Sequence, residues 1–398
     1  MKIKHSWLNR TIVGFGLTSF FSDFCFEMTT PILPLFIEQL VGPGYGAFAL
    51  GIIEGLSNGL ASITRVLSGR LADTVAHYKP YLIAGYGIMP IFVGLIGTAS
   101  SVWNVLFYKT IAWLFKAMRE PIRDTWLSKI VTSKYYGRAF GFNRALDSAG
   151  AIVGPLLTYF IVNKVSFRTI FFIAIIPGIF SLFALLVFTR EIKENERMRK
   201  SPQPWLKEID QLPPDFKYFL WVVLLFGLGN FNQTLLIYRV QKQYMVMKSS
   251  SIIASGWVIL FYVFFNIIRS LCEFSIGSLS DFVNRKKLLA IFGFGAFGLT
   301  SMCLIFEPTQ VSLWFLLFGI AGLSSGTVKA LKKAHAATLL PEDVRGTGFG
   351  ILQAIDGVGD FISSALVGGL WNLFSPAIGF TYAACLSFCA MILLLAKK

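Results

Sequence analysis

Asp23 and Glu27 stand four residues apart in one apolar run, Glu54 lies in the next, and Lys109 and Lys116 are seven apart in a later one. Helical spacings of four and seven put side chains on one face, so the acidic pair and the basic pair each project together. None of the three carboxylates has a basic residue one turn away on its own helix. Such groups need a partner from another helix, water, or a proton that can be taken up and released. Asp23, Glu27 and Glu54 are therefore candidates for proton coupling. Lys109 and Lys116 suit charge compensation or an anionic group on a solute. Asn232, Gln233, Arg239, Asn266 and Asp356 add polar chemistry in later apolar runs and complete a candidate substrate-binding set. Arg144 with Asp147 and Arg269 with Glu273 have spacing for local ion pairs, and Arg65 is expected to serve with Asp73 in a connecting loop.

The elements carrying these residues are set by composition. Of 398 residues, 55% are hydrophobic and 14% charged, against about one-quarter charged in an ordinary soluble domain. The apolar runs approach the roughly 20 residues that a helix needs to cross a bilayer core. Twelve spans are predicted, near 11–37, 47–68, 80–100, 103–123, 139–162, 167–188, 218–240, 252–276, 288–306, 311–330, 347–370 and 377–395. The fold class expected is an all-α integral membrane protein. The net charge of +15 is no nucleic-acid patch, because most Lys and Arg fall in alternate connections. That bias predicts both termini in the cytoplasm and a plasma, or bacterial inner, membrane.

Cys25, Cys272, Cys303, Cys385 and Cys389 lie in apolar stretches without CxxC spacing, so neither disulfides nor a metal site is expected. The three histidines fall at span ends or in loops, and no cofactor is expected. The first run continues through Asp23 and Glu27 with no cleavage site after a short core, which predicts a retained helix rather than a signal peptide.

The stretch 190–217 is charged and divides the chain into expected six-helix bundles, 1–189 and 218–398, with the stretch as a cytoplasmic linker. An internal repeat supports the division. Gly69-Arg-Leu-Ala-Asp73 corresponds to Gly277-Ser-Leu-Ser-Asp281, and Ala145-Leu-Asp147 with Gly150 corresponds to Ala354-Ile-Asp356 with Gly359, at the same offset to within one residue. Duplicated halves place a solute site near the membrane midplane.

The loops Gly69 to Asp73, with Lys79, and Gly277 to Asp281, with Arg285, Lys286 and Lys287, resemble the paired loop motif of the major facilitator superfamily, and the resemblance spans essentially the whole chain. The first copy has Ala76 and His77 where the family usually has Gly and Arg. It implies two pseudo-symmetric six-helix bundles and a transporter of small molecules, complete as a monomer in the bilayer. Gly69, Asp73, Gly277, Asp281, Arg285 and Lys286 would then be conformational loop residues. Gly141, Gly150, Gly154 and Pro155 are similar to the family's antiporter motif in its fifth helix, with Thr158-Tyr159 where the motif closes on a Gly pair. That similarity favours an exporter exchanging solute for protons. The alternative is a proton-coupled importer of an anionic metabolite, such as a polycarboxylate or siderophore-like compound, or a non-transporting sensor. No P-loop or HExxH occurs, so neither an ATP-driven pump nor an enzyme is expected.

Overall fold

The computed structural model describes residues 8–42, 44–75, 77–131, 135–191, 212–247, 251–280, 283–306, 308–341 and 345–397. Within its helices it describes all side chains except those of residues 73–74, 136–137, 244–247, 251–255, 277–278 and 345–347. Every regular element among the described residues is helical. Nine helices there are long and apolar enough to cross a membrane. The other three expected spans are α1 (Arg10–Glu27), α5 (Val102–Ile130) and α6 (Tyr136–Ile161), and each carries charge in its interior. A helix of that kind must turn its charged side toward protein rather than lipid.

The chain packs as two compact units, residues 1–30 with 64–202 and residues 31–63 with 203–398. In the first, α1, α5 and α6 pack with α4 (Lys79–Leu95) and α7 (Phe167–Phe188). Trp126 is fully buried there, edge-on to Phe15 at 5.1 Å and stacked on Tyr78 at 6.0 Å. Two cationic side chains and a histidine meet the end of α7. Lys79 donates to the carbonyls of Leu186 and Thr189 and Arg10 to that of Val187, while His77 lies 3.4 Å from Glu191. Those carbonyls have no helical partners of their own, and positive charge suits the negative end of the helix dipole.

The first expected span, 11–37, is two helices, α1 and α2 (Leu33–Val41). Thr29 and Thr30 hydroxyls bond back to the Phe26 carbonyl, and Pro31 and Pro34 remove two donors, so the helix cannot run through. The corresponding span of the second half breaks likewise, between α8 (Pro214–Gly229) and α9 (Gln233–Met247), where Asn232 Oδ1 accepts from the Thr234 amide. In each half a hydroxyl from another helix repairs the break. Thr158 of α6 donates to the Met28 carbonyl at 2.8 Å, and Ser363 of α14 (Arg345–Leu373) donates to that of Asn230 at 3.0 Å. Broken backbone at membrane depth is tolerated only with such partners. Thr158→Val should lower the thermal stability of the detergent-purified protein by the equivalent of about 1 kcal/mol, the usual worth of one buried hydrogen bond.

The antiporter-like motif acts at the crossing of α1 and α6. A Cβ on Gly150 would lie 2.2 Å from the Phe20 carbonyl oxygen, and one on Gly154 2.8 Å from that of Phe24. The two glycines are one turn apart and face carbonyls one turn apart, so the backbones meet directly. Gly141 has nothing within 4 Å of that position and plays no part in the crossing. Pro155 is buried inside the same helix.

The second unit contains α2, the first part of α3 (Gly46–Thr74), α8, α9, α10 (Ser251–Leu279), α11 (Arg285–Leu288), a π-helical stretch at Leu289–Gly295, α12 (Ala296–Cys303), α13 (Val311–Leu339), α14 and α15 (Pro376–Ala396). Its core centres on Phe216, Phe219, Phe226, Phe294 and Leu331. Within it α3 and α14 approach closely: a Cβ on Gly51 would stand 2.3 Å from the Ser364 carbonyl oxygen, and one on Gly368 2.5 Å from that of Ala47. An ion pair joins Glu38 of α2 to Lys242 of α9, and Gln241 donates to the Pro31 carbonyl at 3.0 Å.

Candidate functional site

The first unit holds the densest charged cluster. Asp23 and Glu27 project from α1, and α5 answers with Lys109, Lys116, Arg119 and Arg123. Lys116 Nζ lies 3.9 Å from Asp23 Oδ1, with both side chains about one-seventh exposed, 15% and 14%. The same ammonium sits 3.1 Å from the centre of the Phe26 ring, and Lys109 lies 4.7 Å from that of Trp113. Phe26 and Trp113 pack edge to face at 5.6 Å. Opposite charges about 4 Å apart attract by roughly 4 kcal/mol at an effective dielectric of about 20, and desolvation opposes this by a similar amount.

Around this pair several of the remaining charges are matched. Arg65 of α3 donates to Glu120 at 2.9 Å. Arg65 therefore braces α5; its expected service with Asp73 lies outside the described residues. Arg123 holds Asp124 at 3.0 Å and donates to Ser19 at 2.8 Å, and Ser19 donates to Asn143 of α6 at 3.1 Å. Arg144 and Asp147 form the expected local pair at 3.6 Å. Glu27 is buried beside the stretch where Gly154 packs on α1.

Glu54 lies in the second unit, buried on α3, where it accepts from Asn58 at 3.3 Å. The three expected coupling carboxylates therefore do not form one cluster within a unit: Asp23 and Glu27 belong together, and Glu54 is separate. Of the expected solute-binding residues there, Gln233 donates to the Tyr262 hydroxyl at 2.8 Å. Arg239 is buried with its guanidinium 5.8 Å from the Trp371 ring. Asn232 is occupied in capping α9, and Asp356 in an ion pair of 2.6 Å with Lys332. Asn266 is fully buried, and neither atom of its amide has a hydrogen-bond partner among the described residues. Glu273 pairs across helices with Lys329 of α13 at 3.4 Å.

The loop motifs are described in part. A Cβ on Gly69 would stand 4.0 Å from the Pro121 Cβ of α5, and Arg285 donates to the Ser280 carbonyl at 3.2 Å. Lys286 bonds the Lys397 carbonyl. The surroundings of Asp73 and Gly277, and Asp281 altogether, lie outside the described residues, as does most of the 190–217 linker. Among the described residues no three His, Cys, Asp or Glu side chains converge as a metal-binding set.

Sequence reasoning passed over Arg119, Ser22 and Tyr86. Arg119 donates to Ser22 of α1, and its guanidinium carbon stands 3.9 Å from the centre of the Tyr86 ring on α4. Its position three residues past Lys116 was the available signal, since that spacing shares a helix face. Nothing local marked Ser22 or Tyr86.

Comparison with known proteins agrees with this architecture. The sequence profile described as Major Facilitator Superfamily matches residues 15–272 and 241–398. An uncharacterized MFS-type transporter of Methanocaldococcus jannaschii is 30% identical over 390 residues, covering 98% of this chain and 95% of that one. The multidrug resistance protein MdtG of Escherichia coli is 27% identical over 188 residues, 47% of this chain and 45% of that one. Among solved structures, the nucleoside transporter NupG superposes with a TM-score of 0.75 at 12% identity, covering 98% of this chain and all of that one, 100%. At that identity the likeness is one of fold.

Proposed function

Since the chain belongs to the major facilitator superfamily and is a multi-pass membrane protein of that transporter family, we propose that it moves a small organic solute by proton-coupled alternating access. The observation that carries the reading is the largely buried pairing of Asp23 with Lys116 at 3.9 Å. Protonation removes the Asp23 charge and with it the attraction that ties α1 to α5; release of the proton restores the tie. A device of this kind lets a proton bias one arrangement of packed helices over another. Glu27 is the second acceptor on the same face, one turn away. Glu54 serves the other unit separately. In this reading the halves 1–189 and 218–398 rock about the solute with both termini in the cytoplasm of a bacterial inner membrane, and one chain suffices.

Export by exchange for protons is favoured over import. Similarity to a multidrug resistance protein over about half of the chain supports this, as does the Gly150 and Gly154 crossing. The test is flux in proteoliposomes under an imposed pH gradient, with a pH-sensitive dye reporting protons and a labelled panel of lipophilic cations and organic acids reporting solute. Proton movement that appears only with solute supports the reading. Solutes that bind and never cross identify a sensor instead.

A further inference from the structure

We propose that Arg119, Tyr86 and Thr18, with Ser22, form a subsite for the carboxylate of an organic anion, which names the solute class of the transporter proposed above and rests on that reading. Arg119 is 3% exposed and makes no ion pair among the described residues. Its hydrogen-bond and ring partners there are the Ser22 hydroxyl, through Nη2, and the face of Tyr86, and the Asp23 carboxylate, which pairs with Lys116, acts on it electrostatically without a direct contact. Nη1 is buried with no hydrogen-bond partner, and so are the Tyr86 hydroxyl and the Thr18 hydroxyl. Thr18 sits one turn before Ser22 on α1, and Tyr86 lies under the guanidinium, so two unmatched hydroxyls stand on the helices that meet the unmatched Nη1. On α4, Gly85 lets that helix pack closely on α5: a Cβ there would stand 2.7 Å from the Arg119 Cβ. The neighbouring cations Lys116 and Arg123 already hold carboxylates, Asp23 and Asp124.

A buried guanidinium without a counter-ion in direct contact is among the less favourable groups a fold can keep. Water could meet the hydrogen-bonding needs of the hydroxyls but would bring no charge to the guanidinium. An anion meets both, and a carboxylate suits best, because its two oxygens can accept from the guanidinium on one side and from the phenol and threonine hydroxyls on the other.

The experiment is equilibrium binding to the purified full chain, followed by thermal shift, with acetate and benzoate set against their neutral isosteres acetamide and benzamide, and against chloride and inorganic phosphate. The carboxylates should stabilise the protein saturably while the amides do not. Tyr86→Phe keeps the ring under Arg119, and Thr18→Val keeps the packing volume. Each should weaken carboxylate binding by about tenfold, the loss of one hydrogen bond to a charged group. Arg119→Lys should weaken it further by removing the fork. Should Arg119→Lys fail to fold, the two hydroxyl variants decide. Amides binding as well as carboxylates, chloride or phosphate binding more tightly than either carboxylate, or unchanged affinity in both hydroxyl variants would overturn the assignment. Carboxylate binding without proton-driven flux would leave the subsite standing and remove the coupling reading; flux without carboxylate binding would do the reverse.

Discussion

Replacing Asp23 with Asn is expected to reduce proton-driven solute flux by at least tenfold while leaving solute exchange at equal pH measurable. The amide fills the same volume and can still hydrogen-bond, so α1 keeps its packing, but it cannot take up a proton. Lys116 then loses the carboxylate nearest to it while keeping its ring contacts, and a charge at membrane depth carries a penalty of about 2.5–3.5 kcal/mol on insertion scales. Tenfold corresponds to only about 1.4 kcal/mol, so the stated loss is a lower bound. Asp23→Glu should recover part of the flux. Glu27→Gln and Glu54→Gln separate the two units' contributions: the first acts on the Asp23 face, the second on a carboxyl held by Asn58. Wild-type proton-driven flux in the Asp23 variant would refute the coupling role of the pair.

Gly150→Val is expected to be the most disruptive single packing change. The new Cβ would start 2.2 Å from a backbone oxygen of α1 and 3.0 Å from the Phe24 amide nitrogen, and backbone cannot rotate aside as a side chain can. Overpacking of this kind costs about 1–3 kcal/mol or more, and relief requires α1 to withdraw from α6. Phe24 adjoins Asp23, so withdrawal also moves the acid relative to Lys116. Melting temperature in detergent and proton-driven flux should therefore fall together, whereas Thr158→Val should lower the first more than the second. Gly141→Ala is the control, with nothing within 4 Å of the added methyl, and should match wild type. An unchanged melting temperature for Gly150→Val would mean that the helices do not cross at this residue.

Apolar run length and the positions of Lys and Arg determined that this chain spans a membrane many times, because hydrocarbon admits only long, self-satisfied helices. The offset repeat and the paired loop motifs determined the family, since both are properties of residues near each other in the chain. Periodicity also placed Asp23 with Glu27, and Lys109 with Lys116, on common faces. Tertiary structure decided the rest. That Asp23 meets Lys116 and that Arg65 meets Glu120 depend on which helix lies beside which. Arg119 became a candidate only once Ser22, Tyr86 and Thr18 were seen around it, on helices separated by dozens of residues. The first span broke where two threonines and two prolines stood in plain sight, but the hydroxyl that makes the break tolerable belongs to Thr158, more than a hundred residues away. Spacing along a helix fixes what shares a face; only packing between helices fixes what each face meets.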